Sequence, residues 1–174
     1  MHPVSKIYLI GFMGSGKTTV GRKLASRLNW SFIDLDDRIQ SKAGMEIMEI
    51  FAKKGESGFR EIESEVLRSL TTEFNTVIST GGGSPCFDEN MDYMLGSGLT
   101  IYLKMTPVQL KNRLLRSSHE RPLIKSIAID ELQGFIEKKL GEREKWYSRA
   151  EIHFDRFNSD ISDLAALVSK RIKD

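Results

Sequence analysis

The segment that most constrains the fold is GFMGSGKT, at residues 11–18, because it matches the pattern G-x-x-x-x-G-K-[S/T]. An apolar run, IYLI at residues 7–10, precedes it, and residues 16–29 follow it with apolar side chains at every fourth position. A stripe of this kind is typical of an amphipathic helix, and a short apolar run is typical of a buried strand. The order strand, glycine-rich loop, helix therefore predicts a phosphate-binding loop in an α/β protein.

The residues of this loop have distinct expected roles. Its glycines let the backbone turn and aim N–H groups inward, and the following helix adds the positive end of its dipole. Lys17 supplies a charge for the β- and γ-phosphates, and the Thr18 hydroxyl can ligate Mg²⁺. A glycine-rich turn with a helix cap is the alternative, whereas the dinucleotide pattern fails because the glycine after Gly16 is Gly21. The residues predicted to bind ATP here are Gly14, Ser15, Gly16, Lys17, Thr18 and Thr19.

Short apolar runs alternate with longer helical patterns along the rest of the chain. We predict strands at 7–10, 31–35, 76–79, 98–105 and 151–154. We predict helices at 16–29, 37–54 with a break at Gly44, 56–73, from Thr106 onward, 129–150 and 160–172, the last with Leu164, Leu167 and Val168 facing inward. This alternation indicates a three-layer P-loop fold, a five-stranded parallel sheet with helices on both faces. No linker-like stretch divides the chain, so residues 1–174 are expected to form a single domain.

Composition excludes several other classes of protein. The 174 residues are 40% hydrophobic and 29% charged with a net charge of +2, which excludes a disordered chain and argues against a nucleic-acid coat. No apolar run approaches the roughly 20 residues that a membrane span needs. Cys86 is the single cysteine, so no intrachain disulfide can form, which favours a reducing compartment. We therefore expect a cytoplasmic monomer with small-molecule partners that binds neither nucleic acid nor membrane.

A phosphate loop occurs in GTPase switches, ATPase motors and small-molecule kinases. The chain has no [N/T]-K-x-D guanine motif and no D-x-x-G motif after the loop, and it is short for a motor, so a kinase is the default interpretation. Asp34 and Asp36 end the second predicted strand, where alternation sends both carboxylates to one side. One can face Mg²⁺ and the other an acceptor hydroxyl, although a carboxylate cluster at a helix N-terminus is the alternative.

Four further features carry charge or flexibility. Arg60 and Glu63 lie three residues apart on a predicted helix and can pair, most simply on the protein surface. The triple glycine at residues 81–83 permits a close backbone approach to a ligand, or it forms a loose turn. Arg121 lies in the polar segment RSSHERPLI, which either closes over nucleotide or forms a surface loop. Arg143, on a late helix, is expected to face solvent when it is considered alone.

Together these segments resemble those of the shikimate kinase family. The ordered series is GFMGSGKTTVGRKLA, FIDLDDRI, GESGFREIE, STGGG and RPLI, followed by an arginine in the late helix, and it covers roughly residues 7–143. The resemblance implies that the chain transfers the γ-phosphate of ATP to the 3-hydroxyl of shikimate, with Mg²⁺ as cofactor. It also implies a substrate-binding subregion at about 34–63 and a mobile lid at about 116–126.

On the phosphate side, the resemblance implies that Lys17 and Arg121 act on the phosphates, Arg121 from the lid. Thr18 and Asp34 would hold Mg²⁺, Asp34 through water. Arg156 would join the ATP site. The contact with adenine stays open among three arginines, namely Arg113, Arg116 and Arg156.

On the acceptor side, the resemblance implies that Asp36 orients or deprotonates the hydroxyl. Arg60 and Arg143 would bind the shikimate carboxylate, a task that suits a planar guanidinium, and Glu63 would steady Arg60. The implied catalytic residues are Lys17, Asp36 and Arg121. The implied shikimate-binding residues are Asp36, Phe51, Phe59, Arg60, Gly81, Gly82, Gly83 and Arg143.

Two other functions stay open at this point. Another small-acceptor kinase, such as a gluconate or nucleoside monophosphate kinase, would share the phosphate loop, but the implied acceptor set argues against it. A regulatory nucleotide-binding protein without catalysis is the other, and the intact phosphate-side set argues against that. An ADP-release assay with a panel of acceptors separates all three.

Overall fold

A five-stranded parallel sheet forms the centre of the protein in the computed structural model, which describes residues 4–117 and 127–173. Its strands are β1 (Lys6–Ile10), β2 (Ser31–Asp34), β3 (Thr76–Ser79), β4 (Leu99–Lys104) and β5 (Ile152–Asp155). Their spatial order is β2-β3-β1-β4-β5, and all neighbouring strands are parallel. The predicted fold class is confirmed, and β1, which leads into the phosphate loop, is the central strand.

Helices connect the strands throughout the described ranges. They are α1 (Lys17–Leu28), α2 (Leu35–Ala43), α3 (Ile47–Ser69), α4 (Asn90–Ser97), α5 (Pro107–Arg116), α6 (Leu132–Tyr147) and α7 (Ile161–Lys173). The predicted capping box at the start of α5 is present, because the Thr106 side chain accepts from the N–H of Gln109 at 3.3 Å and the Gln109 side chain accepts from the N–H of Thr106 at 2.8 Å. Of the helices in the described ranges, none has the length and apolar character needed to cross a bilayer.

The alternating side chains of β1 enter two separate cores. Ile7 and Leu9 pack on one face of the sheet with apolar residues of α1 and α7. Tyr8 and Ile10 pack on the other face with apolar residues of α2, α3 and α4. Because both faces are covered, β1 is buried along its whole length, and its residues 7–10 are an unbroken apolar run. A third cluster packs Phe12 of the phosphate loop against α5 and α6, at the carboxyl ends of the strands.

Several local predictions are wrong. β2 ends at Asp34, and Asp36 lies in the first turn of α2, so strand alternation does not relate the two carboxylates. Asp34 is instead the cap of α2, where its Oδ1 accepts from the N–H of Asp36 at 3.2 Å. Leu167, predicted to face inward, is 49% exposed because the buried stripe of α7 passes through Leu164 and Val168. The helix α4 has no predicted counterpart, since its eight residues are too few for a helical period to stand out.

The helix α3 joins two predicted helices across a kink at Gly55. The φ and ψ angles of this residue are 69° and −175°, a combination that is nearly restricted to glycine. No described atom would lie within 4 Å of a β-carbon at Gly55, so the backbone angle, not crowding, requires glycine there. Phe51 and Phe59 stand on opposite sides of the kink with ring centroids 4.7 Å apart. Eight residues of straight helix would rise about 12 Å, so the kink is what brings these rings together.

Candidate active site

The phosphate loop lies between β1 and α1 at the carboxyl edge of the sheet. Lys17, in the first turn of α1, donates from Nζ to the carbonyl oxygens of Gly11 and Phe12 at 2.8 and 3.0 Å. These bonds hold the ammonium group inside the loop, and Lys17 is only 8% exposed. The first N–H groups of a helix have no intrahelical partners. The loop therefore presents backbone donors, a helix dipole and one cation to an anion.

The two predicted metal ligands are in contact with each other. Thr18 Oγ1 donates to Asp34 Oδ2 at 2.7 Å, while the other oxygen of Asp34 caps α2. Mg²⁺ bound with a nucleotide takes one or two protein oxygens and completes its shell with waters and phosphate oxygens. A hydroxyl beside a carboxylate fits that requirement. The described residues hold no group of three or more His, Cys, Asp or Glu placed to bind a metal.

Arg60 and Glu63 form a buried ion pair on α3. Arg60 Nη1 donates to Glu63 Oε2 at 2.7 Å, and Nη2 donates to Glu56 at 3.2 Å. Arg60 is 5% exposed and Glu63 is fully buried, so the interpretation of this pair as a surface feature is wrong. Burial raises the pKa of Glu63 to about 7, and the nearby Arg60 charge opposes that rise by stabilising the carboxylate. The two carboxylates anchor one edge of the guanidinium.

The triple glycine lets this ion pair approach the backbone after β3. A β-carbon on Gly81 would lie 2.5 Å from Glu63 Oε1 and 3.8 Å from Asp36 Oδ1. A β-carbon on Gly83 would lie 2.8 Å from Arg60 Cζ. The separations from Glu63 and Arg60 are below normal van der Waals contact, so any side chain at 81 or 83 would displace the pair. The backbone of residues 81–83 therefore lies close to charged side chains, and the Asp36 carboxylate lies near Gly81.

Arg143 of α6 reaches the same stretch of backbone. A β-carbon on Gly82 would lie 3.5 Å from Arg143 Nη1 and 3.1 Å from the backbone nitrogen of Met13 in the phosphate loop. Arg143 is 9% exposed, and its Cζ lies 5.3 Å from the centroid of the Phe12 ring. The solvent-facing prediction is wrong because α6 packs this residue against the loop. Nη1 has no hydrogen-bond partner among the described residues, so a buried cation offers a donor beside the phosphate loop.

Two of the three candidate adenine-contacting arginines flank the phosphate loop. Arg113 of α5 donates from Nε to the carbonyl oxygen of Gly14 at 2.7 Å. A β-carbon on Gly16 would lie 3.1 Å from Arg113 Nη2 and 3.9 Å from Arg156 Nε. Arg116 is exposed at the far end of α5. Arg121 lies outside the described residues, as do residues 118–126 of the predicted lid.

Three residues at this site have no role in the sequence-based prediction. Glu56 precedes Arg60 by one helical turn, so the spacing of GESGFR was a usable signal for it. Tyr147 is fully buried and donates from its hydroxyl to the carbonyl oxygen of Gly82. The Phe87 ring centroid lies 4.5 Å from Arg60 Cζ. Neither aromatic residue has a local signal, because its partner comes from a distant segment.

The parallel sheet, the loop at the end of its central strand and the buried cations beside that loop define the class of this protein. It is a P-loop kinase of the α/β type. The family model described as shikimate kinase matches residues 13–173. The chain belongs to the shikimate kinase family, so the resemblance noted from its motifs is confirmed.

Relatives and solved structures agree with this assignment. A shikimate kinase from Parabacteroides distasonis is 41% identical over 171 residues, which cover 96% of this chain and 99% of the relative. The crystal structure of the shikimate kinase from Bacteroides thetaiotaomicron superimposes with a TM-score of 0.89 at 36% identity, covering 98% of this chain and 99% of the other. The enzyme from Acinetobacter baumannii in complex with shikimate has a TM-score of 0.86 at 34% identity, covering 98% and 93%.

Proposed function

We propose that this chain transfers the γ-phosphate of ATP to the 3-hydroxyl of shikimate, giving shikimate 3-phosphate and ADP. The observation that carries the proposal is the buried Arg143, whose Nη1 has no partner among the described residues and lies beside the phosphate loop. A buried cation is costly unless an anion compensates it, so this site calls for an anionic second substrate. The shikimate carboxylate supplies that charge, and family membership supports the choice.

On the acceptor side, Arg60 and Arg143 bind the shikimate carboxylate. Both guanidiniums lie against the triple glycine, and each keeps a nitrogen without a hydrogen-bond partner in the described part of the chain. Asp36, near Gly81, orients the 3-hydroxyl and accepts its proton during transfer. The stacked pair Phe51 and Phe59 forms an apolar wall, as the resemblance implies, and the backbone of residues 81–83 completes the pocket. The substrate-binding subregion is residues 34–63.

On the phosphate side, Lys17 and the loop N–H groups hold the β- and γ-phosphates and stabilise the charge that develops on them. Thr18 and Asp34 would hold Mg²⁺, which would supply positive charge to neutralise the phosphates. Arg121 lies outside the described residues, and its action on the phosphates from a lid at about 116–126 is what the resemblance implies. Arg113 and Arg156 flank the nucleotide, since both lie beside Gly16.

Transfer in this site depends on positioning. The acceptor hydroxyl must meet the γ-phosphate in line, and the two arginines fix its distance by holding the carboxylate at the other end of the substrate.

The whole chain, residues 1–174, acts as one kinase domain and as a monomer, which its single sheet with two covered faces supports. One cysteine and no possible intrachain disulfide favour a cytoplasmic enzyme.

The test is ADP release with ATP, Mg²⁺ and five acceptors: shikimate, shikimate methyl ester, gluconate, AMP and UMP. We expect turnover with shikimate and a KM roughly 10- to 100-fold higher for the methyl ester, because the ester loses charge-assisted hydrogen bonds to two arginines. Gluconate and the nucleotides should give little turnover. A preference for gluconate or a nucleotide would identify another small-acceptor kinase, and equal KM values for shikimate and its ester would contradict the role of Arg60 and Arg143.

A further inference from the structure

The guanidinium of Arg60 lies between two aromatic rings. Its Cζ is 5.0 Å from the ring centroid of Phe59 and 4.5 Å from that of Phe87. Phe59 is its neighbour on α3, whereas Phe87 comes from the segment that follows the triple glycine. Both distances lie within the range in which a cation is attracted to the face of a ring. Arg60 is thus held by carboxylates at its edge and approached by rings from both segments that build the acceptor pocket.

The segment that carries Phe87 is tied to α3, the helix that carries Arg60. Asn90 is fully buried, and its Nδ2 donates to Ser64 Oγ and to the carbonyl oxygen of Ser84, both at 3.0 Å. Arg68 Nη1 donates to Asn90 Oδ1 at 2.8 Å. These bonds join Asn90, after Phe87, to α3, and through Asn90 they also hold Ser84, before Phe87. The position of the ring relative to Arg60 is therefore set within one hydrogen-bonded unit.

The backbone directly after Phe87 adopts a costly conformation. Asp88 and Glu89 have φ angles of 49° and 56°, in the left-handed region that few non-glycine residues occupy. Ser64 Oγ donates to Asp88 Oδ2 at 2.9 Å and so helps to hold this turn. Phe87 itself is 37% exposed, so it is not a core residue whose burial would justify the turn. This turn leads into α4, which begins at Asn90, and it also places the Phe87 ring against the Arg60 guanidinium.

We propose that Phe87 is a positioning residue for the acceptor, because it fixes the plane in which Arg60 meets the substrate carboxylate. This inference rests on the proposed function and deepens it. A bidentate contact requires the guanidinium and carboxylate planes to coincide. Glu63 and Glu56 accept from the two Nη atoms of the guanidinium, but the group can still rotate about the line that joins these atoms. The Phe87 ring limits this rotation from the side of residues 84–87.

The experiment compares F87L and F87Y with the unchanged chain in steady-state kinetics. F87L keeps an apolar side chain but removes the ring face, so the KM for shikimate should rise about 2- to 30-fold, the range for a cation–π contact between exposed and desolvated sites. The KM for ATP and kcat should stay within about twofold, because the Phe87 ring contacts Arg60, on the acceptor side of the site. F87Y keeps the ring and should restore the shikimate KM. An unchanged KM in F87L, or an equal rise in F87Y, would overturn the inference.

A matched control and a double-variant cycle separate positioning from general loosening. Phe74 is 68% exposed and its ring centroid lies 5.9 Å from Lys6 Nζ. It precedes the first residue of β3, whereas the triple glycine follows the last, so F74L should leave every constant unchanged. The F87L effect should vanish in an R60A background and persist in an R143A background, because Arg143 stacks on Phe12 instead. Additive effects with R60A would overturn the inference.

An unchanged chain that does not phosphorylate shikimate would overturn the proposed function as well, whereas a normal F87L in an active kinase would overturn the Phe87 role alone.

Discussion

The phosphate loop and the acceptor pocket lie side by side, yet they are built in different ways. The loop is one contiguous segment whose backbone N–H groups, helix dipole and single lysine are placed by local geometry. The acceptor pocket combines Arg60 of α3, the glycines after β3 and Arg143 of α6, which are far apart in the sequence. The loop offers backbone donors and one lysine, whereas the proposed acceptor pocket offers buried side-chain charges.

The two regions are expected to be sensitive to different kinds of substitution. A backbone site tolerates changes at neighbouring side chains, because its donors are peptide groups that every residue carries. A site of buried charges depends on desolvated groups that must keep each other in place, so loss of one partner leaves another without compensation. Changes in acceptor specificity are therefore expected to arise in the second region, and loss of phosphate transfer in the first.

The largest expected effect concerns the only side-chain charge inside the loop segment. Lys17→Ala should lower kcat/KM by at least about 10²- to 10³-fold, since it removes a donor aimed at the transferring phosphate. Alanine is a good helix former, so the circular dichroism spectrum should not change. The control is Lys23→Ala, an exposed lysine on the same helix, which should keep full activity. Near-normal transfer by K17A would contradict the role of Lys17 at the transferring phosphate and leave the loop as a site that works by its backbone alone.

The next effect tests whether the kink in α3 builds the acceptor wall. Gly55→Ala forces a side chain into a glycine-only conformation at a cost of about 1–3 kcal/mol, or it straightens the helix and separates Phe51 from Phe59. The KM for shikimate should rise about 10-fold, with the KM for ATP unchanged.

Gly44→Ala is the matched control for this change. Gly44 also has a positive φ, of 66°, and open space around it, but no ring contact spans it. G44A should lose comparable stability in chemical denaturation without changing the shikimate KM. If G44A and G55A raise that KM equally, the kink has no special part in the acceptor wall.

The smallest effect concerns the pH dependence of stability. The pKa of Glu63 is raised from 4.5 to about 7 in the folded protein, chiefly by burial. Between these values the folded chain binds a proton that the unfolded chain has released, so the free energy of unfolding falls as pH rises through this window. Glu63→Gln removes this contribution. Relative to the unchanged chain, E63Q should gain stability from pH 5.5 to pH 8, by at most about 2 kcal/mol in urea titrations. A constant difference between the two proteins across that range would contradict it.

Most of the fold could be predicted because its signals are local. The five apolar runs became strands within one or two residues, and the Gly44 break and the Thr106 capping box are present. Failures came where context decided the outcome. β2 stops one residue early because Asp34 caps α2, and α4 is too short to show a period. Arg143, read alone, was expected in solvent, and nothing in its own segment shows that α6 buries it.

The phosphate loop, the strand-helix alternation and the family can all be read from the order of the residues, because short-range geometry carries that information. Only the tertiary structure decided that the Arg60–Glu63 pair is buried, that Arg143 and the triple glycine meet, and that Phe87 lies against Arg60. The physical reason is that burial and contact between distant segments follow from how helices pack on the sheet, and no single segment encodes the surface that another will cover.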